Sequence, residues 1–79
     1  MDQETRIAQA VAKVKATEKR FRATQIDQSA DAHRRQAVHP AYADQEEVCI
    51  GKAAERAAYA DKLRAEADLI EADAEVKHA

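Results

Sequence analysis

An all-α fold, two long helices folded back into an antiparallel hairpin, follows from three features of the sequence. The chain is dominated by Ala, Glu, Lys, Arg and Gln, the strongest helix formers, and 20 of its 79 residues are Ala. A single Gly and a single Pro leave few places for a helix to stop. Small residues also recur at seven-residue spacing in the second half: Ala53, Ala60, Ala67 and Ala74 in one ladder, Gly51, Ala58, Ala65, Ala72 and Ala79 in another. A seven-residue repeat means helix packed on helix, and an alanine rung lets two backbones approach closely.

The elements follow in chain order within one domain, residues 1–79. A first arm over 1–38 opens with Asp2 and Glu4 at the positive end of its dipole. His39-Pro40 ends it, because proline disfavours helix at the residue before it. A turn over 39–43 leads into a second arm over 44–78, with Asp44 as N-cap and Glu47 reaching back to it. Lys77 and His78 stand at that arm's negative end. Equal arms and a tight turn give an antiparallel pair, each arm roughly 50 Å long if continuous.

In the first arm Ile7, Val14 and Phe21 repeat every seven residues with Val11 beside them, and these large side chains are the expected core stripe. The stripe then fails, since Ile26 lies about 140° around the helix from Phe21. The polar run 24–35 contains Asp27 and Ser29, both good caps, so a break near residues 27–29 stays open beside a continuous helix. The second arm has two apolar faces. Cys49, Ala53, Ala60, Leu63, Ala67, Ile70 and Ala74 form one; Ala58, Ala65, Leu69, Ala72 and Val76 lie roughly opposite. Closing the hairpin needs only one face. The other is expected to meet a target or a second copy, and two hairpins forming a twofold four-helix bundle are the commonest closed solution.

Charge divides between the arms. Residues 1–39 carry eight Lys/Arg against five Asp/Glu, and residues 40–79 carry five against ten, so the arms are +3 and −5. Arg6, Lys13, Arg20 and Arg34 share a heptad position interrupted by Asp27, while Asp61, Asp68 and Glu75 share another. A turn centred on Pro40 would bring Arg20 near Asp61, Lys13 near Asp68, and Arg6 near Glu71 and Glu75.

Chemistry is hard to place on this chain. His33, His39, Cys49 and His78 are the soft metal ligands, and no pair has the i, i+3 or i, i+4 spacing that sets two ligands on one helical face. No metal or other cofactor is expected. The carboxylates read as solvated helix faces without the pocket that would separate their pKa values. With Gly51 the only glycine, no phosphate-cradling loop exists. A lone cysteine fits a reducing, cytoplasmic setting, and no apolar run suits a membrane span.

Elimination leaves a small non-catalytic protein-interaction module, of the kind represented by bacterial or phage inhibitors and adaptors, counter-defence proteins among them. A protein target and a homodimer are the expected partners. Asp61, Asp68, Glu71 and Glu75 would supply its electrostatics, with Leu69, Val76, Tyr42 and Tyr59 as anchors. The alternative is an RNA- or DNA-binding regulator using Lys13, Lys15, Lys19, Arg20, Arg22, Arg34 and Arg35. Its architectural analogue is the helical-hairpin dimer of the plasmid-copy-number regulator Rop. A second alternative is a purely structural, self-assembling bundle.

Overall fold

The computed structural model describes residues 2–78. Helix α1 (Gln3–Ala37) is followed by a 3₁₀ segment (Pro40–Gln45) and helix α2 (Glu46–His78). The helices pack side by side as an antiparallel hairpin, and the described residues contain no strand. Its Cα envelope of 60 × 14 × 10 Å is that of two helices lying in one plane. The side chains of Lys77 and His78, and Ala79 of the second ladder, lie outside what is described.

Helix α1 begins where the Asp2 carboxylate accepts the Thr5 N–H at 2.7 Å, satisfying one donor that the first turn leaves open. It then runs unbroken past Asp27 and Ser29, which decides between the one-helix and two-helix readings of this arm. At its end the His39 N–H donates to the Gln36 carbonyl at 3.1 Å. Pro40 holds His39 extended (φ −84°, ψ 131°), and its Nδ1 accepts the Ala41 N–H at 3.1 Å. The Tyr42 N–H donates to the His39 carbonyl at 2.9 Å, and the two rings meet edge-on with centroids 6.0 Å apart. The turn is therefore longer than 39–43. Asp44 lies inside the 3₁₀ segment and does not cap α2, which starts at Glu46 with Glu46 and Glu47 in its positive first turn.

The core is a seam of small residues. Ala16, Ala23, Ala30 and Ala37 are buried on α1; Cys49, Ala53, Ala60, Leu63 and Ala67 are buried on α2. Ala23, Ala60 and Leu63 form its centre, with Ile26 packed against them. Each helix contributes two rows that alternate at three- and four-residue steps, as two helices packed along their length require. Ala12, Lys19, Ile26 and His33, all half-buried, form the second row of α1. With Ala23–Leu63 and Ile26–Ala60 as the central layers, the register sets Ala16 opposite Ile70, Lys19 opposite Ala67 and Ala37 opposite Cys49. A larger side chain on one helix meets an alanine on the other. That alternation lets the side chains interdigitate while the backbones stay close.

Ile7, Val11, Val14 and Phe21 are not in the core. They are 55, 46, 56 and 66% exposed; Ile7, Val14 and Phe21 occupy the side of α1 turned away from α2, and Val11 borders the groove that Ile70 and Ala74 of α2 also line. The reason is volume. The α2 seam already carries Leu63 and Ile70, and opposite such residues only alanine-sized partners fit. On α2 the face from Cys49 to Ala74 closes the hairpin, and Ala58, Ala65, Leu69, Ala72 and Val76 remain exposed. The total accessible surface is 5914 Å². A compact chain of this size would expose about 4,700 Å².

Enlarging a seam residue should therefore be costly where enlarging an outer alanine is not. Ala60→Leu is expected to lose about 1–3 kcal/mol of stability by overpacking. Ala58→Leu, on the outer ladder, should stay within about 0.5 kcal/mol of the parent. Urea unfolding followed by circular dichroism compares the two, and equal losses would contradict the seam.

Candidate interaction surface

The outer side of α2 carries its own alternating stripe. Val48, Gly51, Ala58, Ala65, Leu69, Ala72 and Val76 fall on it, interrupted by Glu55 and Lys62, and every one of these residues is exposed. A Cβ added at Gly51 would meet nothing within 4 Å, so the hairpin itself does not need glycine there. Asp61, Asp68 and Glu75 form a row along one flank of this stripe. Leu69 and Val76 are 69 and 80% exposed, on the opposite flank of the Ala58, Ala65 and Ala72 rungs from that acidic row.

The other expected contact residues do not join it. Tyr42 belongs to the turn, against His39. Tyr59 lines a shallow groove between the helices with Ile26, His33, Lys52 and Arg56, on a different side of α2. Glu71 faces α1, where its carboxylate accepts Arg20 Nη1 at 2.5 Å. Arg20 Nη2 also donates to Asp68 at 2.8 Å, and Lys19 Nζ donates to Glu66 at 2.8 Å. Arg64 is bonded to Asp27 across the seam and to Asp61 at 3.4 Å along its own helix.

These pairs correct the expected register. Arg20 meets Asp68, seven residues beyond Asp61, because the 3₁₀ segment adds length to the turn and moves the pivot. They also explain why Asp27 interrupts the basic row of α1: its partner Arg64 is the matching inversion in the acidic arm. Hydrogen bonds that Arg20 donates to Glu71 first, then to Asp68, hold its guanidinium firmly in its charged form. The Asp27 carboxylate does the same for Arg64. Hydrogen bonding to Lys19 lowers the pKa of Glu66, and hydrogen bonding to Arg20 lowers that of Glu71.

Three of the basic arm's candidate residues are engaged in such contacts. Lys19 and Arg20 are paired across the seam, and Arg34 donates to Asp31 at 2.5 Å. Lys13, Lys15, Arg22 and Arg35 are exposed, but Lys13 and Lys15 stand about 160° apart around the helix, so the four make no single patch. Among the described residues no three His, Cys, Asp or Glu side chains could together hold a metal ion. No described helix is long and apolar enough to cross a membrane. Cys49 is a buried free thiol on the seam.

One further surface is hidden from an eye that looks for large residues in the core. Ile7, Val14 and Phe21 form an apolar stripe on the outer side of α1, with Val11 at its border. The signal that could have found it is the ladder Ala16, Ala23, Ala30, Ala37. It runs through the polar stretch where the larger stripe stops.

The lowered carboxylates fix the direction of the acid response. A glutamate whose folded pKa lies below its ordinary 4.5 adds stability that is complete above that value and disappears as pH falls through the folded one. The melting temperature should therefore be level above about pH 6 and fall below about pH 4.5. A Glu66→Gln/Glu71→Gln variant should show a shallower fall, measured by thermal melts at low salt. No protein-family model, no curated protein and no solved structure matches this chain.

Proposed function

We propose that this chain is a small non-catalytic interaction protein that works by laying an outer helix face against a partner protein. Inhibitors and adaptors of bacterial or phage origin, counter-defence proteins included, are the functional class it fits. A reducing, cytoplasmic setting suits its buried, unpaired Cys49.

The observation that carries this reading is where the bulk of the apolar side chains stands. In the seam only Leu63 is fully buried among the described large aliphatic side chains, with Ile26 and Ile70 half-buried beside it, while Ile7, Val14, Phe21, Leu69 and Val76 lie more than half exposed on outer faces. Contiguous exposed apolar surface bordered by charge marks a place where another macromolecule docks. The acidic row Asp61, Asp68 and Glu75, across the alanine rungs from Leu69 and Val76, supplies such a border, and Asp61 and Asp68 keep most of their side-chain surface open to solvent. Nucleic acid is the weaker reading, since Lys19, Arg20 and Arg34 already have carboxylate partners.

Leu69→Asp/Val76→Asp tests the surface without touching the seam. Helicity should be retained, and affinity for a partner captured by the parent protein should drop at least about tenfold. Charge reversal at Asp61, Asp68 and Glu75 should weaken the same complex and make it less sensitive to salt. Unchanged binding in both variants would remove this face from the function. Co-purified RNA released steeply by salt would favour the basic arm instead.

A further inference from the structure

A shallow groove runs along one broad face of the hairpin for most of its length. Near the open end it passes between Val11 and Ile70, at the centre it crosses Leu63 and Arg22, and toward the turn it reaches Ile26, Tyr59 and Lys52. Ile26 packs with Leu63, which joins the last stretch to the others. Val11 and Tyr59 are exposed there, and Ile26 and Ile70 are half-buried. The opposite broad face is crossed instead by the ion pairs Arg20–Glu71 and Asp27–Arg64.

Charge on the grooved face is ordered along α2. Lys52, Arg56 and Lys62 come first, with Glu55 among them, and Glu66 and Asp73 come after. Arg56 and Tyr59 stand as far before the midpoint between Leu63 and Glu66 as Asp73 and Ile70 stand after it. The row is therefore complementary to its own reverse. Turned end over end, a second copy sets its Asp73 against Arg56, its Ile70 against Tyr59 and its Glu66 toward Lys62. By the hairpin's register the same twofold axis crosses α1 between Phe21 and Arg22, which sets Val11 over Ala32. The two Arg22 side chains stand beside the axis, each within about one helical turn of a Glu18 from either copy. A copy laid parallel would place Lys52 and Arg56 over His33 and Ser29, where this face of α1 has no carboxylate.

We propose that this grooved face joins a second copy of the chain, end over end, into a closed twofold four-helix bundle. The contact is isologous, so assembly stops at two. A face 60 Å long and about two helix diameters wide offers on the order of 1,000 Å² per copy, against the roughly 800 Å² per partner that stable pairs bury. Ile7, Val14 and Phe21 stay on the outside of the bundle, so this contact is independent of the outer-face reading above.

Arg56 and Asp73 lie about 25 Å apart along one α2, too far to pair within a chain, so a charge swap between them reports only on a second copy. In sedimentation equilibrium over a concentration series the parent should form a dimer and nothing larger. Arg56→Glu alone and Asp73→Arg alone should each raise the dimer dissociation constant at least about tenfold. Arg56→Glu/Asp73→Arg should return it to within about threefold of the parent. Circular dichroism checks that helicity is kept in all three. Arg22→Cys, made with Cys49→Ser, should give a disulfide-linked dimer on mild oxidation, whereas a parallel arrangement would hold these thiols on diagonal helices. A parent that stays monomeric across the series or grows past dimer would overturn the proposal. So would single variants that dimerise like the parent, a double variant no tighter than the singles, or Arg22→Cys thiols that do not link. A monomeric parent that captures another protein through Tyr59 would assign the groove to that protein and overturn the second-copy assignment.

Discussion

Close approach of two helices along an alanine seam is the constraint from which the rest of this molecule follows. Ala16, Ala23, Ala30 and Ala37 place a methyl group at every rung of α1, and Ala53, Ala60 and Ala67 do so on α2. Backbones held this near leave room for one larger side chain per layer, and Leu63 and Ile26 fill the central ones. Such a seam buries little apolar area per residue, so its stability depends on fit more than on bulk. It also dictates which side chains must go elsewhere. Ile7, Val14 and Phe21 cannot enter without forcing the helices apart, and they turn outward.

Register is fixed by charge and by the turn together. A ladder with seven-residue spacing tolerates a slip of seven residues, because alanine meets alanine either way. The ion pairs do not tolerate it. Arg20 bonds Glu71 and Asp27 bonds Arg64, so each helix carries one charge of the opposite sign where its partner requires it. A slip of one heptad would set Arg20 against Arg64, or Asp27 against Glu71. Exposed pairs of this kind add little stability individually, and their role here is to exclude the wrong alignment. The 3₁₀ segment from Pro40 to Gln45 supplies the chain length that the correct alignment needs.

The all-α hairpin and its turn at Pro40 were legible in the sequence, because helix propensity, proline and heptad spacing all act locally; which of the two apolar faces of α2 closes the hairpin was left open. The face of α1 was not legible. Size and spacing pointed to Ile7, Val14 and Phe21, whereas the seam selects by complementary volume across two helices, a property no single arm displays. The same cause made a break near 27–29 look open. Ile26 is out of phase with Phe21 because Ile26 faces the seam and Phe21 faces outward. Read from the alanine ladder, the arm is in phase throughout. The ion pairs were legible in kind, and their alignment was displaced by one heptad because residues 44 and 45 belong to the turn and not to the helix. Of the candidate surface, Leu69 and Val76 share the outer side of α2 with the acidic row, while Tyr42, Tyr59 and Glu71 were separated by the angles at which α2 and the turn present them.

On the proposed reading, folding and association are coupled in this chain by its composition. The two-helix rod, 60 × 14 × 10 Å, exposes 5914 Å², well above the roughly 4,700 Å² of a compact chain this size. Ile7, Val14 and Phe21 on α1 and Leu69 and Val76 on α2 are part of that surface. Covering them recovers hydrophobic free energy the hairpin alone forgoes, at about 25 cal/mol for each Å² of apolar surface removed from water. Whatever binds the folded surface and not the unfolded chain stabilises the fold in proportion to its concentration. The alanine seam thus does two things at once: it holds the helices together with little burial, and it leaves Ile7, Val14, Phe21, Leu69 and Val76 displayed on the outer sides of the rod.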